Sequence, residues 1–382
     1  GLFAAEPRTA EAIHRRVLTL DSHVDVALPG LSAPPQRASL AQLRAGGVDA
    51  VVLAVFAPTG PPTPEGHAAG RREAMTRLAA IKALVRDNPG EADLALSAAD
   101  VARIVAAGKV AVIISLLNAD WLDGDVTEFD HLYAAGVRMA GLAHAGNTAF
   151  ADSSRPQPGA GAPNGGLSAL GRTAVQRLND LGVLVDVSQL TPAGVFQTVQ
   201  ISRTPVVASH SAVRALADVP RNLSDAELDA IARAGGVVQV TPFLTYLVAK
   251  PATFDVQMGE LRRAFGLPAG AGFEGVSTLS GPQQTAFQAA SRKLYPPVGV
   301  ARYVDHIDYI VRRVGIDHVG IGTDFNHGGG VVGFADESEA PNVTRELVAR
   351  GYSEGQISRI WGGNFLRVLA AAEAARDIHQ SR

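Results

Sequence analysis

A chain of 382 residues, 47% hydrophobic and 19% charged, carries enough apolar material for a large core. Its formal net charge of −3, the lack of any run of five like charges, and the lack of any apolar stretch near the roughly 18 to 20 residues of a membrane span exclude nucleic acid and a spanned bilayer as expected partners. There is no cysteine, so disulfides, thiolate nucleophiles and cysteine-based zinc sites are excluded and any metal must be held by His, Asp or Glu.

The first residue is Gly1 in place of Met, so a leader was removed or the chain was cut for another reason; "GLFAAEP" could follow a signal peptide, which slightly favours a periplasmic or secreted location over a cytoplasmic one and leaves the location open. Apolar, β-branched runs that close on polar residues then recur. They are "VLTLDSHVD" (17–25), "DAVVLAVFAP" (49–58), "VAVIISLLNAD" (110–120), "GVRMAGLAHAG" (136–146), "GVLVDVSQ" (182–189), "TPVVASHS" (204–211), "GGVVQVTPF" (235–243) and "DHVGIGTDFN" (317–326). Segments of helical spacing lie between them, such as "TAVQRLNDL" and "DAELDAIARAG", the latter opened by Ser224 and Glu227 as a capping box. Eight doubly covered strands alternating with helices predict an α/β protein of the closed (β/α)₈ barrel type, as one domain over 1–382. A doubly wound open sheet is the runner-up, without support from any Gly-x-Gly-x-x-Gly or Walker loop.

Two stretches interrupt the alternation. "SSRPQPGAGAPNGG" (153–166) is a Pro/Gly-rich loop, and 247–300 is an insertion between the seventh and eighth runs, with helices expected at "MGELRRAFG" and "QQTAFQAASRKLY". Either could cover the barrel mouth, and the insertion is expected as a folded lid.

Barrel chemistry gathers at the C-terminal strand ends, which here carry His23, Asp25, Asn118, Asp120, His144, Asp186, Gln189, His210, Gln239 and Asp324. Any one of them alone reads first as a satisfied hydrogen bond. His23 and Asp25 share a strand face, however, and closure sets Asp324 beside them, so three ligands suited to a divalent cation converge. His327, in a Gly-rich loop, could reach a mouth-facing cation, but is expected first to face solvent and is not counted as a ligand. Trp121 and Phe243 read as rim packing, Tyr246 as a residue near substrate, and His14, His131, His306 and His318 as surface or packing residues.

Several longer stretches resemble the renal (membrane) dipeptidase family of amidohydrolase-type metal hydrolases. "LTLDSHVDV" is similar to that family's first strand, "GVRMAGLAHAGNTAFADS" to its fourth, "GLSALGRTAVQRLNDLGVLVDVS" to the approach to its fifth and "PVVASHSAVRALADVPRNLSD" to its sixth. "HIDYIVRRVGIDHVGIGTDF" and "GGNFLRVL" extend the likeness over most of 10–372. The resemblance implies two zinc ions bridged by a glutamate, which activate water against a dipeptide carbonyl. By position it makes His23, Asp25 and Asp324 ligands of the first metal and His210 a ligand of the second. Asp324 becomes the proton shuttle, His144 the residue that polarises the substrate or steadies the oxyanion, and Arg221 the clamp for a substrate carboxylate.

Two positions depart from that pattern. Leu117 stands where the bridging glutamate should be, and Gln189 where a second histidine should be. Two dications a few ångströms apart repel unless an anion lies between them, and leucine supplies none. One zinc ion is therefore expected ahead of two, with none as the further alternative. The leading functional expectation is a one-metal dipeptidase-like hydrolase of small peptide or amide substrates. The alternative is a non-hydrolytic homologue that binds, or otherwise transforms, a peptide-like ligand in a biosynthetic pathway. A homodimer is the candidate assembly, which the sequence leaves open.

Overall fold

The computed structural model describes residues 8–32 and 35–380, so the N-terminal "GLFAAEP" lies outside the described residues. Among the described residues there are nine strands: β1 (Leu20–Asp25), β2 (Ala50–Phe56), β3 (Ala92–Leu94), β4 (Val110–Leu117), β5 (Val137–Gly141), β6 (Leu184–Asp186), β7 (Val207–Ser211), β8 (Val237–Val240) and β9 (Val319–Ile321). Every residue of β2 and β4 is buried, as the continuous Val/Ile/Leu runs require of strands covered on both faces. Eight strands pair in parallel in the order β1-β2-β4-β5-β6-β7-β8-β9. The last meets the first, because Asp25 N–H donates to the Phe325 carbonyl at 3.1 Å and Asp324 N–H to the His23 carbonyl at 2.9 Å. Those two bonds exclude the open sheet. The architecture is a (β/α)₈ barrel.

One strand differs from expectation. β3 pairs with Val110–Val112 at the start of β4, below the point where β5 joins at Ile114. Its three residues are too few to produce a periodic signal.

The strand period of two decides what fills the barrel. Ala50 and Val52 of β2, with Ala111 and Ile113 of β4, point inward at the lower end, where Phe365, Val368 and Leu369 of the C-terminal helix Asn364–Gln380 plug the floor. Continuing up the same inward faces gives Ala54 and Phe56 on β2 and Leu117 on β4, which form their own buried cluster at the mouth. Leu117 thus holds a mouth-facing position by register, opposite Phe56.

The expected helices are found at Ala169–Leu181 and Asp225–Arg233, the second with the Ser224/Glu227 capping box intact. In the insertion, helices Phe254–Ala264 and Gly281–Arg292 enclose a small separate core of Met258, Leu267, Val276 and Phe287. Among the described residues no helix is long and apolar enough to cross a membrane.

Candidate metal centre and active site

His23, at the end of β1, is buried with both ring nitrogens lacking a hydrogen-bond partner among the described residues. Asp25 Oδ1 and Asp324 Oδ1 are buried and partnerless in the same way, and Asp324 Oδ1 lies 3.4 Å from His23 Nε2. Buried polar atoms are seldom left unpaired, so such a group of donors suits a cation. Burial opposes a charge on His23, but Asp324, Asp25 and Asp186 outweigh it and hold its pKa above the ordinary value. Burial pushes the Asp25 carboxyl up, against the pull of His327, His23 and Arg77. The backbone reinforces the arrangement. Asp324 takes φ +57°, a left-handed conformation uncommon outside glycine, and its carbonyl accepts from Gly329 N–H at 2.9 Å and His327 N–H at 3.1 Å.

The ligand atoms of His23, His210 and Asp324 lie within 4.8 Å of one another, and the two imidazoles stack at 3.7 Å with planes 6° apart. Position had put His210 with a second metal and Asp25 with the first; the tight cluster includes His210, while Asp25 sits beside it. Asp25 Oδ2 is instead 3.2 Å from His327 Nδ1 and 3.8 Å from the Arg77 guanidinium.

Both nitrogens of His210 are engaged. Asp186 accepts from the Ser209 hydroxyl, and Ser209 Oγ is 2.8 Å from His210 Nδ1, which must therefore carry the proton. On the other side Gln189 Nε2 stands 3.0 Å from His210 Nε2. Arg155 Nη2 donates to Gln189 Oε1 at 3.3 Å, which fixes the amide so that its N–H donates to the imidazole. The lone pair a second metal would need is thus occupied by an amide hydrogen. Burial, then the neighbouring cationic groups, pushes the His210 pKa well below the ordinary value, in keeping with a neutral ring.

A sequence profile of the membrane dipeptidase family (peptidase family M19) matches residues 7–382. The chain belongs to the membrane dipeptidase family. Its members are metal-dependent hydrolases of peptide bonds, with zinc the usual cation. The chain is 39% identical to the probable dipeptidase PvdM from Pseudomonas aeruginosa, whose crystal structure superposes with a TM-score of 0.83 over 96% of this chain and 98% of that one. It is 28% identical over 312 residues to dipeptidase tcpJ of Claviceps purpurea, covering 80% of this chain but only 61% of that enzyme's length. A metallopeptidase from Rhodobacter sphaeroides, bound to a phosphinate mimic of L-Ala-D-Ala, shares the fold at TM-score 0.72 and 20% identity, over 93% of this chain and 99% of its own.

Within this membrane dipeptidase-family barrel, the strand-end residues separate into two groups. His23, Asp25, His144, Gln189, His210 and Asp324 form one contiguous set, linked through Arg155 and His327. Asn118 instead ties the loop at Ala57 and Thr59, Asp120 accepts from Gly60 N–H, and Gln239 donates to the Ile321 carbonyl inside the barrel. Asp186 accepts from Ser188 and Ser209 N–H at 3.1 and 2.9 Å. Arg221 gives its two terminal nitrogens to the carbonyls of Ser188 and His210, packs its guanidinium 5.0 Å from the Tyr246 ring, and leaves Nε without a partner.

His327 does not face away into solvent. It lines the mouth, stacks on His144 at 5.2 Å and tilts against Phe56 at 4.9 Å. Burial, with His327 and Arg155 next, pushes the His144 pKa well below its ordinary value, so that ring is neutral. Phe243 also lines the mouth, whereas Trp121 is buried under Arg71. His14 and His306 are packed in the interior, bonded to backbone and hydroxyl groups, His318 is half-buried against the Gly236 carbonyl, and His131 is mostly exposed.

Arg155 and Arg77 were missed. Arg155 reaches the site from the aperiodic 153–166 loop, where no pattern distinguishes it. Arg77 did carry a signal: in helix Pro64–Arg86 it falls on the buried stripe Ala74, Arg77, Leu78 and Ile81, where a guanidinium must have a polar target.

Proposed function

We propose that this protein is a dipeptidase-like hydrolase of small peptide or amide substrates that works with one divalent cation rather than two. The observation that carries the reading is the Gln189 amide on His210 Nε2, held in place by Arg155. Leu117 adds to it, buried against Ala54 and Phe56, where it offers no anion to a pair of cations. Buried, partnerless atoms on His23 and Asp324, with Asp25 beside them, suit a single zinc. Bound there, the cation would polarise the scissile carbonyl and lower the pKa of water.

The chain's own residues supply the rest. Asp324, with Oδ1 turned towards His23, is placed to take a proton from attacking water and return it to the leaving amine. Neutral His144, over the mouth beside His327, is placed to donate a hydrogen bond to the developing oxyanion. Arg221, with Nε unpartnered and one N–H used on each terminal nitrogen, keeps three of its five N–H donors for a substrate carboxylate, while its two bonds hold the strand-end carbonyls of Ser188 and His210. The insertion 247–300 acts as a lid over the mouth.

The same replacements favour a second reading, a homologue that binds or otherwise transforms a peptide-like ligand in a biosynthetic pathway without hydrolysis. Hydrolysis of a panel of free dipeptides, measured after chelation and after zinc is added back, separates the two. Zinc-dependent turnover abolished by Asp324→Asn supports the hydrolase. Peptide binding without cleavage at any zinc concentration supports the homologue.

A further inference from the structure

The mouth opens into a cavity of about 900 Å³ that runs from Asp25 and His327 outward beneath the insertion. That lies at the upper end of the roughly 300–1,000 Å³ that enclose drug-sized ligands, and well beyond the needs of a dipeptide. Its apolar lining includes Phe243 from the barrel and Phe254, Met258 and Tyr295 from the insertion. Besides Arg77, near Asp25, two guanidinium groups line it. Arg37 comes from the segment after β1, and Arg292 from the end of helix Gly281–Arg292.

Neither has an ion-pair partner among the described residues. Arg37 Nη1 donates to the Ala335 carbonyl and lies near enough to Asp336 to feel its charge without pairing. The Arg292 guanidinium has no hydrogen-bond partner among the described residues; it lines the same cavity as Arg37, whose charge acts on it. Burial lowers both guanidinium pKa values, and their mutual repulsion adds to this at Arg292. Like charges brought together over one cavity are relieved by an anion between them, and planar forks suit an oxyacid.

We propose that this cavity holds an anion subsite, where Arg37 and Arg292 together receive a carboxylate or phosphate on a peptide-like ligand longer than a dipeptide. The proposal rests on the peptide-like ligand of the preceding section, but on neither a metal nor hydrolysis. The apolar lining would take a side chain of the same ligand.

Calorimetric titration with three synthetic tetrapeptides tests it, in chelator and in zinc: Ala-Ala-Phe-Ala as the free acid, the same peptide as its amide, and the amide with phosphoserine in fourth place. At least one anionic peptide is expected to bind about tenfold or more tightly than the plain amide, the size charge-assisted hydrogen bonds give. Which one is tighter identifies carboxylate or phosphate as the source. In the Arg37→Gln/Arg292→Gln double variant the preference should vanish while the amide's affinity is unchanged, with an unaltered circular dichroism spectrum showing that the chain is folded. Equal binding of all three peptides, no binding of any, or a preference that survives in the double variant and so belongs to Arg221, overturns the proposal. An anion preference without dipeptide turnover would instead count against hydrolysis and leave the subsite standing.

Discussion

Replacing Leu117 with Glu and Gln189 with His should turn a site for one cation into a site for two. Leu117 is 2% exposed and packs on Ala54 and Phe56. Leu117→Glu therefore forfeits about 1.5–3 kcal/mol of apolar burial and sets a carboxyl among hydrocarbon, for a metal-free loss of about 3–5 kcal/mol in total. Gln189→His removes the amide that occupies His210 Nε2 and supplies a second imidazole. One further cation at about 100 times its dissociation constant then returns about 2.7 kcal/mol. Urea unfolding of the wild type, both single variants and the double variant, in chelator and in zinc, measures this directly. The double variant should fall about 3–5 kcal/mol below wild type in chelator and recover roughly half or more of that in zinc, beyond any gain the wild type shows. A zinc response no larger than that of wild type would refute the reasoning, because it would mean that these two side chains do not decide cation number.

Three other outcomes follow from the same geometry. His306 accepts from Val213 N–H on Nδ1 and donates to the Leu247 carbonyl from Nε2, and burial lowers its pKa to about 4. Its folded pKa lies below the unfolded 6.5, so its contribution is whole above pH 6.5 and fades as pH falls towards 4, by about 3 kcal/mol in all; urea unfolding against pH should show this slope, and His306→Gln should flatten it. In the metal-free protein His210 should be neutral with its proton on Nδ1, read from imidazole nitrogen shifts, and Ser209→Ala should relax that preference. His23→Ala should abolish zinc retention on a desalting column, while Gln189→Ala should leave it intact, since only the first removes a partnerless buried ligand.

Much of the barrel could be read from the chain because its strands are buried on both faces. Runs such as "AVVLAVF" and "VAVIISLL" have to be continuous and apolar, and the polar residue that ends each run marks the mouth. β3 escaped notice because three residues at the edge of β4 need no such run. In the site, His23, Asp324 and His210 stood out as costly polar groups at oily strand ends. His327 was misjudged because a Gly-rich loop looks solvated, whereas the left-handed turns at Asp324 and Asn326, with φ of +57° and +67°, fold it back across Asp25. Arg155 lies eleven residues beyond His144 in a loop without periodicity, and only the tertiary contact with Gln189 reveals its role. Arg77 was within reach of inspection, as a guanidinium on a stripe otherwise made of Ala, Leu and Ile.

Zinc stoichiometry of the unaltered protein bears most directly on all of this. Chelator-stripped protein titrated with zinc by calorimetry, with elemental analysis of the saturated sample, should take up one tight equivalent that His23→Ala eliminates. Two tight equivalents per chain would contradict the account, for they would require His210 to surrender the Gln189 amide and two dications to coexist beside leucine.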